Sequence, residues 1–274
     1  MIKKILLSIS LLTTSALVAN GENQQLLKDF TQEQFKNRGI VIKNLKISDG
    51  KVLGKEWQSY HVEFDVKENG KFVHTKELLI MNGNYLVSDA LNLKTMTSLR
   101  DSLKPKFNKD IYDNDFLISG TGEAENKIVV FSDPFCPFCK ELMKNIYAEI
   151  KKSKKKNDVD VYLYEIALPA HPASDLVIRH IMASKDKKEA VKKIYNSKED
   201  KDITSSTNFD IINNWFEATT DEKIKKEQVF SDEIDQKMQK MKNIANMQDV
   251  EGTPAIYVNG EFTKFYSKIE ELFK

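Results

Sequence analysis

The spacing of apolar residues changes period several times along the chain, and each change marks a predicted element. Leu26, Leu27, Phe30 and Phe35 recur at helical intervals and predict an amphipathic helix from Glu22 to about Asn37. The period then becomes two. Ile40 to Ile47 is β-rich and closes at Asp49-Gly50, and Trp57 to Val66 alternates with Tyr60, Val62, Phe64 and Val66 on one face. The turn signals Asn69-Gly70 and Asn82-Gly83 bracket a strand over Phe72 to Met81, and Tyr85-Leu86-Val87 follows. The pattern is a helix followed by an antiparallel meander. One helix over a curved sheet leaves an edge or face to protect, and pairing with a second copy is a common way to protect it.

Asp89 to Asn114 is polar and mixed. Leu91, Leu93, Met96 and Leu99 keep a helix-compatible spacing and Pro105 is a stop, so this stretch reads as a partly helical linker. From Asp115 onward the pattern predicts a strand at Ile128 to Ser132, a helix from Pro137 to Lys151 and a strand at Val159 to Ile166, a right-handed βαβ unit. Helical stretches follow over Ala173 to Ala183, Lys187 to Asn196, Asp210 to Glu217 and Ser231 to Gln248. The last has Ser231 as its N-cap and a stripe of Ile234, Met238, Met241 and Ala245 that reads as core-facing, with a peptide-binding methionine surface as the alternative. A strand at Ala255 to Val258, the turn Asn259-Gly260, a strand from Glu261 to Tyr266 and a helix from Ser267 to Phe273 close the chain.

Two features of the termini and charge bound the setting. Met1 to Lys4 is basic and Ile5 to Ala19 is a short apolar run ending at small residues, so residues 1–21 read as a secretory signal peptide cleaved near 19–21. The run is shorter than the roughly 20 residues a membrane-spanning helix needs. Lys and Arg total 42 against 41 Asp and Glu, a net charge of +1, which offers no global field for nucleic acid. The densest basic run, Lys151 to Lys156, falls at a predicted helix C-terminus, where cations complement the helix dipole.

The chemistry concentrates in two places. Cys136 and Cys139 are the only cysteines, spaced C-x-x-C at the start of a predicted helix. An exported chain with a structural disulfide framework would scatter more cysteines, and a bridge across so short a loop constrains the unfolded chain little. Reversible dithiol chemistry is the better reading, with Cys136 the exposed attacking thiolate at the helix N-terminus and Cys139 the inward, resolving thiol. Pro137 suits the first helical position, and Phe138 brings neither charge nor hydrogen bond to the sulfur. The second place is Gly252-Thr253-Pro254, before a strand; beside a C-x-x-C pair the Thr253-Pro254 bond is expected cis, presenting the Thr253 backbone to an extended substrate. Asp133 and Glu165 read as solvated strand-end carboxylates, with a buried acid serving Cys139 as the alternative. His61, His74, His171 and His180 show no metal-ligand spacing, so zinc is the weaker use of the two cysteines and His171 reads as a loop residue. An exported chaperone with an incidental disulfide is the competing reading from outside enzymology.

The segments Phe131-Ser132-Asp133-Pro134-Phe135-Cys136-Pro137-Phe138-Cys139-Lys140 and Glu251-Gly252-Thr253-Pro254-Ala255-Ile256-Tyr257-Val258-Asn259-Gly260 together resemble the thioredoxin-fold thiol–disulfide oxidoreductases of the bacterial periplasm. Within them the chain is most similar to the DsbC/DsbG disulfide-isomerase group. The resemblance implies an α+β and α/β architecture: a cystatin-like helix and antiparallel sheet for dimerisation over 22–88, a linker over 89–114, and a thioredoxin-like catalytic domain over 115–274 with a helical insert about 173–248. It implies Cys136 as nucleophile, Cys139 as resolving cysteine, and Pro137, Phe138, Thr253 and Pro254 as substrate-binding positions, with no cofactor and no metal. It also implies a periplasmic homodimer acting on misoxidised exported proteins, with no nucleic acid and with a membrane redox partner that is a DsbD-like reductant for an isomerase or a DsbB-like oxidant for an oxidase. Thr253 before the proline is similar to the isomerases and Pro137 after the first cysteine to the DsbA oxidases; the expected dimer favours isomerase or reductase.

Overall fold

The computed structural model describes residues 21–53, 57–68, 70–94, 97–155, 157–198 and 200–274. All of the expected signal peptide except residue 21 lies outside the described residues. The chain divides into two compact units between Leu103 and Lys104. No helix among the described residues is long and apolar enough to cross a membrane.

In the first unit, helix α1 spans 21–37 and the antiparallel strands β1 (Ile42–Val52), β2 (Trp57–Glu68), β3 (Lys71–Asn82) and β4 (Tyr85–Val87) lie in sequence order. The alternation in β2 buries Tyr60, Val62 and Phe64 almost completely. Leu27 of α1 packs on Tyr60 and Met81, the Phe35 ring lies 4.9 Å from Phe64, and the Asn23 amide donates to the Tyr60 hydroxyl. Asp49-Gly50 is not the turn its composition suggests. β1 runs on to Val52 with a register shift after Asp49. A Cβ at Gly50 would stand 2.9 Å from the Ser59 backbone oxygen, so this glycine serves a close approach of two strands.

The helix expected across Leu91 to Leu99 is also replaced. β5 (Leu91–Asn92) and β6 (Thr97–Ser98) pair, and the helix α2 occupies only Leu99–Leu103, ending before Pro105. Asp89 closes the hairpin by accepting from the Ala90 and Arg100 amides and the Ser98 hydroxyl, a local side-chain contact that outweighs weak apolar spacing. Leu103 packs with Leu78 and Ile80 on the sheet face that alternates away from α1.

The second unit holds a five-stranded sheet in the order β11-β10-β8-β9-β7, built from β7 (Leu117–Ser119), β8 (Asn126–Ser132), β9 (Val159–Glu165), β10 (Ala255–Val258) and β11 (Glu261–Thr263). Only β8 and β9 run parallel. The apolar run Ile128 to Phe131 is wholly buried, as a central parallel strand requires. β7 carries too few residues to show alternation, and β11 stops at Thr263, whose hydroxyl accepts from the Phe265 amide. Phe107, from the stretch read as a linker, belongs to this unit: its ring sits 5.6 Å from Tyr164 and 5.7 Å from Tyr257, and its amide donates to Gly260.

The helices are α3 (Pro137–Lys152), α4 (Ser174–Ala183), α5 (Lys187–Asn196), the short α6 (Lys201–Thr204), α7 (Phe209–Thr220), the short α8 (Lys226–Val229), α9 (Asp232–Met247) and α10 (Ser267–Phe273). Ser231 caps α9 by accepting from the Ile234 amide, and Ile234, Met241 and Ala245 are buried, so the methionine stripe faces the core. The basic run ends α3, with Lys151 and Lys152 in its last turn.

The register of β8 and β9 sets up the site. Ser132 pairs with Glu165 and Val130 with Leu163 in the parallel ladder, so Ser132 and Glu165 stand side by side on one face, while Phe131 and Tyr164 point to the other.

Candidate active site

β8 ends at Ser132, and the chain crosses to α3 through Asp133-Pro134-Phe135. Cys136 is the N-cap of α3 and Pro137 occupies its first turn. This places the two sulfurs at the helix N-terminus, where backbone N–H dipoles favour a thiolate. Few of those donors are free for Cys136: its own amide bonds the Asp133 carbonyl and carboxylate, Pro137 has none, and the Lys140 amide bonds the Cys136 carbonyl.

Cys139 is fully enclosed and Cys136 only 5% exposed, so Cys136 is less open than the C-x-x-C spacing suggests. The Thr253-Pro254 loop lies against it. The peptide bond between these residues is cis, and the Cys136 Sγ lies 3.8 Å from the Thr253 carbonyl oxygen, which accepts from the thiol. Phe138, by contrast, projects outward at 72% exposure two residues beyond Cys136. Burial pushes the Cys139 thiol up to about 12; the hydroxyls of Ser132 and Thr253 and the backbone of Asp133 pull against that rise. All six residues singled out in the two motifs thus lie in the second unit, and Cys136, Cys139 and Thr253 come together around the sulfurs.

Both carboxylates taken as solvated are buried instead. Asp133 is fully enclosed: one oxygen accepts from the Phe135 amide at 2.8 Å, the Cys136 amide at 3.1 Å and His171 Nδ1 at 2.9 Å, and the other accepts from the Leu168 amide at 2.9 Å. Three of the four donors crowd one oxygen. His171 is therefore not an idle loop residue but a part of the active-site shell. Glu165 is buried by α9 and α5; burial raises its carboxyl to about 8, with the nearby Asp133 charge adding to the rise. The Tyr195 hydroxyl of α5 lies 2.8 Å from Ser132 Oγ and 3.3 Å from Glu165 Oε1, completing a polar line Cys139, Ser132, Tyr195, Glu165 through an apolar core. Glu165 Oε2 has no partner among the described residues, and Glu165 lines a cavity of about 570 Å³ shared with Arg179 and Met238.

The helical insert also reaches the active-site loop. Trp215 of α7 packs on Phe135 at 5.5 Å, and Lys140 sends its ammonium to the Ser197 carbonyl and hydroxyl at 3.1 and 3.0 Å. Nothing in the spacing of Tyr195, Ser197 or Trp215 marks them as neighbours of the cysteines; the signal for Asp133 was its place three residues before Cys136. Among the described residues no three His, Cys, Asp or Glu side chains gather to hold a metal ion.

Residues 114–274 match the family model described as thioredoxin. Among solved structures, the chain is similar to oxidised BdbD from Bacillus subtilis at 20% identity, over 63% of this chain and 96% of that one, with a TM-score of 0.50. It is similar to a thioredoxin-like oxidoreductase from Silicibacter pomeroyi DSS-3 at 16% identity over 61% and 95% of the two chains, TM-score 0.47. A periplasmic thioredoxin-like protein from Salmonella enterica serovar Typhimurium matches at 15% identity over 61% and 96%, TM-score 0.46. No curated protein sequence matches the chain. At these identities the likeness concerns the fold.

Proposed function

The chain belongs to the thioredoxin family, and from that membership we propose that it is a thiol–disulfide oxidoreductase of exported proteins, working in the periplasm as a DsbC/DsbG-type isomerase or reductase. The observation that carries the reading is the Cys136/Cys139 pair at the start of α3, with the Thr253 carbonyl 3.8 Å from Cys136 Sγ. A Cys136 thiolate attacks one sulfur of a substrate disulfide; the substrate S–S bond breaks, a Cys136–substrate disulfide forms, and the other substrate sulfur leaves as a thiolate. In isomerisation a different substrate thiolate then attacks and frees Cys136. In reduction Cys139 attacks the Cys136 sulfur, the substrate leaves as a thiol, and the Cys136–Cys139 disulfide takes two electrons from a membrane reductant.

Cys139 must lose its proton to attack, and its burial opposes that. In its ionised form, which grows as pH approaches about 8, Glu165 supplies the base through hydroxyls that accept one proton as they pass on another: Cys139 to Ser132, Ser132 to Tyr195, Tyr195 to Glu165. Thr253 and Pro254 hold an extended substrate segment beside the sulfurs, and the exposed Phe138 ring gives misfolded chains an apolar contact. The cystatin-like first unit, with the long edge strand β1, pairs with a second copy and keeps a membrane oxidase from the catalytic sulfurs.

Thiol trapping in intact cells tests the direction of electron flow: the pair is expected mainly reduced. A mainly oxidised pair makes the protein a dithiol oxidase, and full activity after Cys136→Ala leaves only a chaperone.

A further inference from the structure

The Asp133 carboxylate presents an electrostatic problem for the proposed reaction. It is a fully buried acid that bonds the amide of the nucleophile itself, while its own backbone bonds the sulfur of Cys139. A negative charge there opposes a thiolate on either sulfur, because like charges in a low-dielectric site repel strongly. The same charge is felt at Glu165 and Tyr195, both of which it pushes upward. Three of its four donors are backbone amides, from Phe135, Cys136 and Leu168, and these are neutral dipoles. The fourth is the His171 ring, at 2.9 Å, and among the described residues it is the one side-chain donor to this carboxylate. His171 keeps 17% of its side chain in contact with solvent, whereas Asp133 has none. It sits on the loop between β9 and α4, whose Leu168 amide bonds the other carboxylate oxygen, so the loop is held in place to deliver the ring.

We propose that His171 is a positioning residue that offsets the Asp133 charge and thereby sets how readily the Cys136–Cys139 disulfide is reduced. The His171 N–H, donating to Asp133 at 2.9 Å, opposes the carboxylate charge and leaves the remaining helix dipoles to stabilise the Cys136 thiolate. Without it the carboxylate acts unbalanced on the sulfurs and the dithiol form becomes harder to reach.

The inference rests on the oxidoreductase reading, and the equilibrium with glutathione separates the two. Protein disulfide plus two glutathione molecules gives protein dithiol plus glutathione disulfide, and the constant is measured at pH 7 for the full-length protein and its variants. His171→Phe, which removes the donor, is expected to lower the constant about tenfold, equivalent to about 30 mV for a two-electron couple, and His171→Gln, which keeps an amide donor, is expected to lower it less. Asp133→Asn, which removes the negative charge, is expected to raise it by a similar factor. A pair that merely held the loop together would move the constant in the same direction from either end, so opposite signs for His171→Phe and Asp133→Asn support the electrostatic role and equal signs overturn it. Should Asp133→Asn lose its fold by circular dichroism, the His171 variants decide: a fall in His171→Phe that is smaller in His171→Gln supports the proposal, and a wild-type value in His171→Phe or an equal fall in both overturns it. A wild-type protein that exchanges no disulfide with glutathione overturns the oxidoreductase reading together with this one; normal exchange with unshifted variants overturns this one alone.

Discussion

Cys139 and Glu165 are two buried groups whose proton affinities are both raised, and their linkage through Ser132 and Tyr195 makes residue-level predictions sharp. Cys139→Ala leaves the nucleophile without its resolving partner, so mixed disulfides between Cys136 and exported proteins should accumulate and be visible as reductant-sensitive bands on gels. Cys136→Ser should give none. Glu165→Gln keeps the shape of the site and removes the base; resolution of a preformed mixed disulfide should slow by about 10²-fold, the usual scale of a lost general base, with the first attack little changed. The same residue carries a stability signature. Its carboxyl rises from 4.5 to about 8 on folding, so the folded state holds a proton that the unfolded chain has lost. Stability should therefore fall as pH rises from about 4.5 towards 8, by at most about 1.4 kcal/mol per pH unit. Denaturant unfolding of Glu165→Gln across that window should show a flatter profile.

Elements were legible wherever they were long and periodic. The alternation in β2, the apolar run of β8 and the stripe of α9 each announced the face that the structure buries, since burial of one face is what selects the periodicity in the first place. Short elements escaped. β7, α6 and α8 contain three or four residues apiece, fewer than two full repeats of any pattern, and exist because longer neighbours supply their partners. Composition misled at Gly50, where Asp-Gly reads as a turn but the strand continues past the Ser59 backbone. Gly50→Val should cost the first unit roughly 1–3 kcal/mol by overpacking, seen as a lower urea midpoint. Phe107 misled in the other direction, since one aromatic in a polar stretch carries no period. Phe107→Ala should destabilise the second unit by about 3–5 kcal/mol, whereas the same change in a true linker would cost almost nothing.

At the scale of the whole molecule, the two units invite separate tests. If the first pairs with a second copy, the full-length protein without its leader should sediment as a dimer, and a chain cut between Leu103 and Lys104 should be a monomer. That shortened chain should still exchange disulfides with glutathione, because all six motif residues lie beyond the cut, but should lose isomerisation of scrambled proteins. A monomeric full-length protein would remove the dimer from the proposal.

Local pattern by itself determined the nature of the chemistry here. Two cysteines one helical turn apart at the mouth of a helix, after a buried strand, make redox chemistry the best use of those residues whatever surrounds them, because thiolate stability at a helix N-terminus is a local property. The surroundings were decided only by tertiary structure. Glu165 became a buried carboxyl because the parallel register of β8 and β9 sets it beside Ser132, and a shift of one residue would turn it to the opposite face. His171 and Tyr195 joined the site because the β9–α4 loop and α5 return to it from far along the chain. Period and propensity act over a few residues, whereas the burial of a charge depends on which distant segments cover it.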